Sequence, residues 1–529
     1  MGGFITKMRT RALVGVCAAI LIVMASGIAV KAEGEETKEL PFPNAVEVTE
    51  TTFPDAQIRK AIRDYVYVDD DCKVYINPED VEYLFFEDEV ADITGLSVFP
   101  NLHYLTMLHY TGTEISLQNE GLQELGIGGD KEELIIDAPF ITSLKLYGNG
   151  KVRSVDLTKA GNVEDLDISY DDSINEVKGL SSLTKLKYLR LTDYPGETIE
   201  LSGLEMIQEL TIQNGKLAGL DVSRLAELNY LDLYELGITS LDVSGNSKLE
   251  RLFCDGCTNL SDVKLPGSID RLSLDRCNLK AVDVSGCRNL SYLSVDNNSL
   301  TSLDVSKCNK LESISAKDNG IRKLDVTKCK LLMYLTVDNN KLKSIDISKC
   351  KKLFELGLSG NKKLSKIDIS KQKQLSMLDI SNTRIKKLDT RKNKELSTVD
   401  FHNTPVSKVD FSKNKNLYSI CYYGSKLKKY DLSRINTKSG YVYIFYEVKR
   451  GSKIKLKNFI GKGYKVYSKS DYLKYNKKKK EITISKKIPE PIYTYDEYEY
   501  SDYYDDDDTY QELVLKKGDM KIAFGIYIK

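Results

Sequence analysis

Hydrophobic residues recur along this chain at fixed intervals. In Tyr292-Leu-Ser-Val-Asp296 the apolar Leu293 and Val295 alternate with polar neighbours. That period-2 pattern predicts a short β-strand with one face buried. Asn297 and Asn298 follow, then Leu300, Leu303 and Val305, before the next strand pattern begins. The same order returns as Tyr334-Leu-Thr-Val-Asp338, Asn339, Asn340, Leu342, Ile345 and Ile347. The cleanest stretch runs from Leu228 to Leu417. One landmark, hydrophobic-Asp-hydrophobic-Ser/Thr, puts aspartates at Asp221, Asp242, Asp283, Asp304, Asp325, Asp346, Asp368, Asp389, Asp410 and Asp431. Most steps are 21 residues and one is 22. The 41-residue gap after Asp242 holds one coil whose landmark reads Val263-Lys-Leu265-Pro266. Upstream the frame continues less regularly through Leu189 and Leu191, Leu166 and Ile168, Leu144 and Leu146, and Leu102 and Leu105.

A period of this length, with leucines at fixed offsets and an Asn after each strand, is the leucine-rich-repeat signature. The predicted fold is an α/β solenoid of about 21-residue leucine-rich repeats, with an N-terminal helical cap and a small C-terminal antiparallel β domain. The solenoid is expected over 90–436. Some sixteen coils, stacked about 4.8 Å apart, would give a body roughly 75 Å long. Such a chain builds an extended, nearly uniform surface, and that surface suits binding more than chemistry.

The ends read differently. Lys7, Arg9 and Arg11 precede an apolar run from Ala12 to Val30, and Val30-Lys-Ala32 offers a small-residue cleavage site. Residues 1–32 are therefore expected to be a signal peptide, or an N-terminal anchor if the segment is not cleaved. No second membrane span follows. Residues 33–52 read as a flexible acidic leader. Residues 53–89 read as the cap, because an open solenoid end would expose its core. Phe53-Pro-Asp-Ala-Gln-Ile-Arg-Lys-Ala-Ile-Arg-Asp-Tyr65 has helical apolar spacing with Pro at its start, and a second short helix is expected near Pro78. Past 436 the repeat stops. Residues 437–529 alternate as strands do, around an acidic Tyr/Asp loop at 491–508 that is expected to be solvated.

Cysteine and charge sharpen this picture. Four of the ten cysteines, Cys287, Cys308, Cys329 and Cys350, fall 21 apart in one slot that is Asn246, Asn393 and Asn414 elsewhere. Equivalent Cβ vectors of stacked coils run parallel, so these are expected to be buried free thiols rather than disulfides. Cys257 and Cys277 fall in the post-strand Asn slot beside inward Cys254, where a local bridge or metal site is the alternative to free packing. Net charge is zero, yet residues 301–490 hold 46 of the 77 basic and only 18 of the 77 acidic side chains. Lys307, Lys310, Lys328, Lys330, Lys349, Lys351, Lys352, Lys371, Lys373, Lys392, Lys394, Lys413 and Lys415 follow the landmark and predict one lysine edge. It serves solubility, or attachment to an anionic polymer by screened long-range attraction.

The Phe53-Pro-Asp55 helix start, the aspartate-rich turn after it, Ile93-Thr-Gly-Leu96 leading into Phe99-Pro-Asn-Leu102, and the Leu-Asp-Val-Ser repeats resemble exported leucine-rich-repeat proteins of Gram-positive bacteria related to the internalins. The resemblance covers about residues 50–436. It implies a secreted, extracellular or cell-surface adhesin that binds a protein or glycan with its concave face. In such relatives the turn can look like a calcium loop. Here Cys72 stands where the sharp turn needs Gly, and Pro78 where a bidentate Glu would lie, so no metal is carried over.

Reading outward strand positions gives the candidate ligand face: Tyr188, then Tyr230, Asp232 and Tyr234, then Arg251, Phe253 and Asp255. Arg271 and Asp275 follow, then Tyr292 and Asp296, then Tyr334 and Asp338. One column is Tyr/Arg, a composition enriched at binding hot spots, and another is largely Asp. The alternative is that such residues simply suit a sheet surface. Stacked Asp255, Asp275 and Asp296 would repel, so they are expected to meet a cationic ligand or pair with Arg251 and Arg271. Catalytic signatures are missing. His103, His109 and His402 are scattered and expected at the surface, and there is no phosphate loop or nucleophile elbow. The expectation is a non-enzymatic recognition protein without cofactor, metal or nucleic-acid partner. The alternative is an envelope protein held on anionic wall polymers by its lysines.

Overall fold

The computed structural model describes residues 44–148, 151–169, 174, 176–427, 441–448, 453–455, 465–471, 473–484, 509–517 and 520–528. The expected signal segment, the leader up to residue 43, the end of the repeat region from 428 to 436 and the acidic loop 491–508 lie outside them. Among the described residues no helix is long and apolar enough to cross a membrane.

The alternating pattern forms strands as predicted, and each pairs in parallel with its counterpart one coil on. In register run Leu231, Leu252, Leu272, Leu293, Ile314, Leu335, Leu356, Leu378, Val399 and Ile420, all buried. A second inward row, including Leu233, Cys254, Leu274, Val295, Ala316 and Val337, lies two residues further along each strand and is likewise fully buried. The two rows make one dry spine. Each strand then turns through a left-handed residue, among them Asn297, Asp318, Asn339, Asn382 and Asn403, with φ near +50°. Short Asn and Asp tolerate that region by bonding locally, which explains why Asn and Asp recur after the strands. The next asparagine points inward. Asn298 donates to Leu274 O at 2.7 Å and accepts from Leu279 N at 3.0 Å, and Asn319, Asn340 and Asn361 repeat the pattern.

The convex side carries turns and short strands rather than helices. In the early coils Glu114–Ser116, Glu133–Asp137, Ser154–Asp156 and Glu176–Lys178 pair in parallel, and Ser240–Asp242 pairs likewise with Asp262–Lys264. The later coils rely on the landmark aspartates. Asp304 Oδ1 accepts from Ser306 N at 2.9 Å, and Asp221, Asp242, Asp283, Asp325, Asp346, Asp368 and Asp410 make the equivalent turn. These hydrogen bonds hold the carboxyls below their usual range, Asp304 among them. A 21-residue coil is closed this way without room for an α-helix, so among the described residues α-helix is confined to the cap and the repeats hold only the 3-10 turns Leu96–Val98 and Leu180–Ser182.

The cap's α-helix is Ala56–Ala61, continued by a 3-10 turn at Ile62–Tyr65. Its N-cap is Asp55, one residue inside the Pro54 start expected from the sequence. One Asp55 oxygen accepts from Gln57 N at 2.7 Å, and the other accepts from Ala91 N at 2.8 Å, tying the helix to the first coil. Phe53 stacks on Phe99 at 5.7 Å. Gly95, at φ +97°, lies where a Cβ would collide with Thr52 O. The second helix expected near Pro78 is a single 3-10 turn, Pro78–Asp80.

Three boundaries differ from expectation. Val46–Glu47 is a strand paired antiparallel with Val74–Ile76, so the part of the leader from residue 44 onward is built into the cap sheet. Tyr83–Val90 pairs in parallel with Tyr104–Tyr110, so the repeat begins inside the segment assigned to the cap. At the other end, Tyr441–Val448 pairs in parallel with Ser419–Cys421 and with Met520–Ile528. Only beyond that does the sheet turn antiparallel, through Thr509–Lys517 and Lys465–Lys469. The C-terminal strands thus continue the concave sheet and cover its last coil.

Candidate ligand face on the concave sheet

The parallel register sets outward side chains in columns one coil apart. The first column reads Tyr188, Glu209, Tyr230, Arg251, Arg271, Tyr292, Ser313, Tyr334. Tyr188 and Tyr334 are exposed, at 40% and 41%. Arg251 and Arg271 are neighbours, and like charges side by side are unfavourable. Each therefore leans away onto the ring on its other side: the Arg251 guanidinium lies 5.2 Å from the Tyr230 centroid, and that of Arg271 lies 4.5 Å from Tyr292. Phe253, half-buried in the next column, packs against Tyr230 with centroids 5.7 Å apart. Tyr230, Arg251 and Phe253 thus form one stacked group, and Arg271 and Tyr292 form a second on the next two coils of the strip.

The aspartate column behaves otherwise than expected. Asp255 pairs with neither Arg251 nor Arg271. Arg276, at the left-handed turn position of the next coil, grips it through Nε at 3.0 Å and Nη2 at 3.2 Å, and also donates to Tyr234 Oη at 3.3 Å. Asp275 accepts from Ser294 Oγ at 2.7 Å and Asp296 N at 2.6 Å. Asp296 accepts from Ser315 Oγ at 2.7 Å and Lys317 N at 2.6 Å, and Asp338 from Ser359 N at 2.6 Å. Burial raises the carboxyls of Asp275, Asp296 and, above the strip, Asp232. It pushes Asp338 up to about 6. Asp275 and Asp296 are therefore bolts between coils, each holding a hydroxyl and a backbone N–H of the next, and Asp338 holds one backbone N–H. These bonds, rather than Arg251 and Arg271, meet the charge of Asp275 and Asp296 within the fold.

Arg276 was not singled out from sequence, because its slot is normally Asn or Asp. Nor was Phe354, whose ring packs 6.0 Å from Tyr334. Tyr83, Phe85 and Tyr104 are exposed at 50%, 40% and 46% on the first coils. Reading the outward frame upstream of Leu105 would have found Tyr104.

The cysteines match the expected layout. Cys287, Cys308, Cys329 and Cys350 are fully buried free thiols. Burial pushes Cys329 up to about 12 and the other three up to about 11. Cys254, Cys257 and Cys277 are also buried and unbridged. Cys72, on an exposed turn, adopts φ +62° between the hairpin strands Val66–Val68 and Val74–Ile76. Asp69 accepts there from Asp71 N and Lys73 N, so its carboxylate closes the turn.

The stacked coils, the inward leucine rows and the asparagine turns define a leucine-rich-repeat solenoid. No protein-family model matches the chain, and no curated protein sequence does. Among solved structures it is similar to the functional domain of InlJ from Listeria monocytogenes, which is described as including a cysteine ladder. That match has 17% identity and a TM-score of 0.47, covering 91% of this chain and 98% of that one. It is also similar to a leucine-rich-repeat protein of Leptospira interrogans, at 17% identity and TM-score 0.44, over 64% and 95%. The internalin InlF of Listeria monocytogenes matches at 18% and 0.38, over 70% and 96%.

Proposed function

We propose that this chain is a non-enzymatic, exported recognition protein that binds a protein or glycan through the concave strip Tyr188, Tyr230, Arg251, Phe253, Arg271, Tyr292 and Tyr334. The observation that carries this reading is the pair of Arg–Tyr stacks, with Phe253 packed on Tyr230 of the first. Aromatic and arginine side chains held by one another lose little further freedom on binding, so their contact area converts efficiently into affinity. The clamp of Arg276, Asp255 and Tyr234 borders the strip and stiffens it. Asp275 and Asp296 tie its coils together.

A second reading has its own observation. The lysines from Lys307 to Lys415 that follow each landmark are exposed, and among the described residues none of them forms an ion pair within 4.0 Å. An edge where these lysines outnumber the landmark aspartates and make no close ion pair supports electrostatic attachment to an anionic wall polymer. The two readings separate by mutation. A glycan array and a surface-protein pull-down with residues 33–529 supply the ligand. Replacing Tyr230, Phe253 and Tyr292 by Ala should then weaken its binding by about 100-fold or more, as loss of hot-spot anchors does. Reversing Lys349, Lys351, Lys371 and Lys373 to Glu should release the protein from cells at lower salt and leave that affinity intact. If neither set changes any binding, both readings fail.

A further inference from the structure

At the C-terminal end of the concave sheet, three side chains of different chemistry converge. Asp379, Asp400 and Cys421 occupy one column in register, and His402 stands two residues beyond Asp400. His402 Nδ1 lies 2.8 Å from Asp400 Oδ1 and 3.9 Å from Cys421 Sγ. One nitrogen, one sulfur and one carboxylate oxygen all fall within 4.8 Å of one another, and all three residues are half-buried. We propose that Asp400, His402 and Cys421 bind a borderline divalent metal ion of the zinc class.

The donor set decides the class: imidazole, thiolate and carboxylate together suit zinc or cobalt(II), whereas calcium and magnesium want oxygen alone. The geometry is close to what such an ion needs. With metal–sulfur near 2.3 Å and metal–nitrogen near 2.0 Å, tetrahedral angles put the sulfur and nitrogen about 3.6 Å apart. The Nδ1 to Oδ1 separation must open to about 3.3 Å as the ion takes the place of the proton between them. On binding, the Cys421 thiol releases its proton and the imidazole proton moves to Nε2, so affinity rises with pH. The three donors leave a fourth position for water.

The surroundings also fit. Asn382 Nδ2 meets His402 Nε2 at 2.9 Å and Asn403 Nδ2 donates to Asn382 Oδ1 at 3.1 Å, so two amides orient the ring. Rotating both amides presents an oxygen to Nε2–H, the partner a metal-bound imidazole requires. Tyr423 stacks on the ring at 4.5 Å, tilted by 14°. The arrangement does not suit a nucleophilic relay. Cys421 and Asp400 meet the same ring nitrogen, so the imidazole cannot pass a proton from one to the other.

The test is cobalt(II) titration of the reduced full-length chain after chelator dialysis, followed by zinc competition and melting curves. One equivalent should bind with a thiolate-to-cobalt charge-transfer band, and zinc should displace it and raise the melting temperature. Cys421→Ser should abolish the band and weaken zinc at least 100-fold, and Asp400→Asn at least 10-fold, while Cys72→Ser should change nothing. Circular dichroism checks the fold, and the near-isosteric Cys421→Ser decides if His402→Ala unfolds. Absence of the band in the natural chain, or its persistence in Cys421→Ser, overturns the proposal.

Discussion

Asn393 sits fully buried on the convex side, in the slot that holds the cysteine row earlier in the chain. Its Nδ2 donates to Ile369 O at 2.8 Å and Gln372 O at 2.7 Å, while its Oδ1 has no partner. Asn393→Ala removes two hydrogen bonds, each contributing about 1 kcal/mol net. It leaves a small void but also deletes the unpartnered oxygen, so the balance is a loss of about 1–2 kcal/mol. Asn393→Cys should cost under about 1 kcal/mol, because a thiol refills the space and gives back one weak bond. The precedent is Cys350 Sγ, which donates to Val326 O at 3.4 Å in the same slot. Asn393→Asp turns a carboxylate onto two carbonyl oxygens and should cost several kcal/mol at neutral pH. Burial raises that carboxyl in the folded state above the unfolded value of about 3.9. The variant is then most stable below that pH and loses stability as pH rises through the folded pKa. Denaturant unfolding, with hydrogen exchange over residues 390–420 to catch local opening of a repeat array, measures the series. An alanine variant no weaker than the cysteine one, or an aspartate no worse than alanine at neutral pH, would refute the reasoning.

Three further outcomes follow from the same geometry. Asp338, held at about 6 by burial against an ordinary 3.8, costs the fold about 3 kcal/mol when ionised. Natural stability should fall as pH rises from about 4 to 6, and Asp338→Asn, which keeps an acceptor for Ser359 N, should make that fall shallower by Asp338's share and stabilise at neutral pH. Native chain treated with a thiol reagent without reductant should label Cys72 fast and Cys287, Cys308, Cys329 and Cys350 only on unfolding. Thiols still blocked in denaturant would mean they are bridged. Arg276→Ala should lose about 1 kcal/mol from the half-exposed Asp255 pair and Tyr234 stack, read by thermal melting. No change would show that the clamp is ornamental.

The solenoid was legible because its coil is written twice over, once in the Leu spacing of the strand and once in the Asn and Asp that turn the chain. Leu293, Leu335 and Leu378 lie along one axis, as their spacing requires. The cysteine slot was legible for the same reason, since a repeat fixes what lies above what. Side-chain partnership was not. Asp255, Asp275 and Asp296 read as a stacked anionic column, yet Asp255 pairs with Arg276, and Asp275 and Asp296 bond to backbone and hydroxyl groups one coil on, an offset that alternation alone does not encode. Arg276 was hidden because one coil replaces the usual turn residue with a long cation. His402 was expected at the surface and instead packs half-buried against Tyr423. The ends misled because Tyr83 and Val46 lack the repeat's full pattern and join the structure only through pairing.

The most direct test of the recognition account is hydroxyl-radical footprinting of the chain with and without its captured ligand. Protection should concentrate on Tyr188, Tyr230, Phe253, Tyr292 and Tyr334, and leave the lysines from Lys307 to Lys415 unchanged. Protection confined to that lysine edge, or spread over the convex turns, would contradict it.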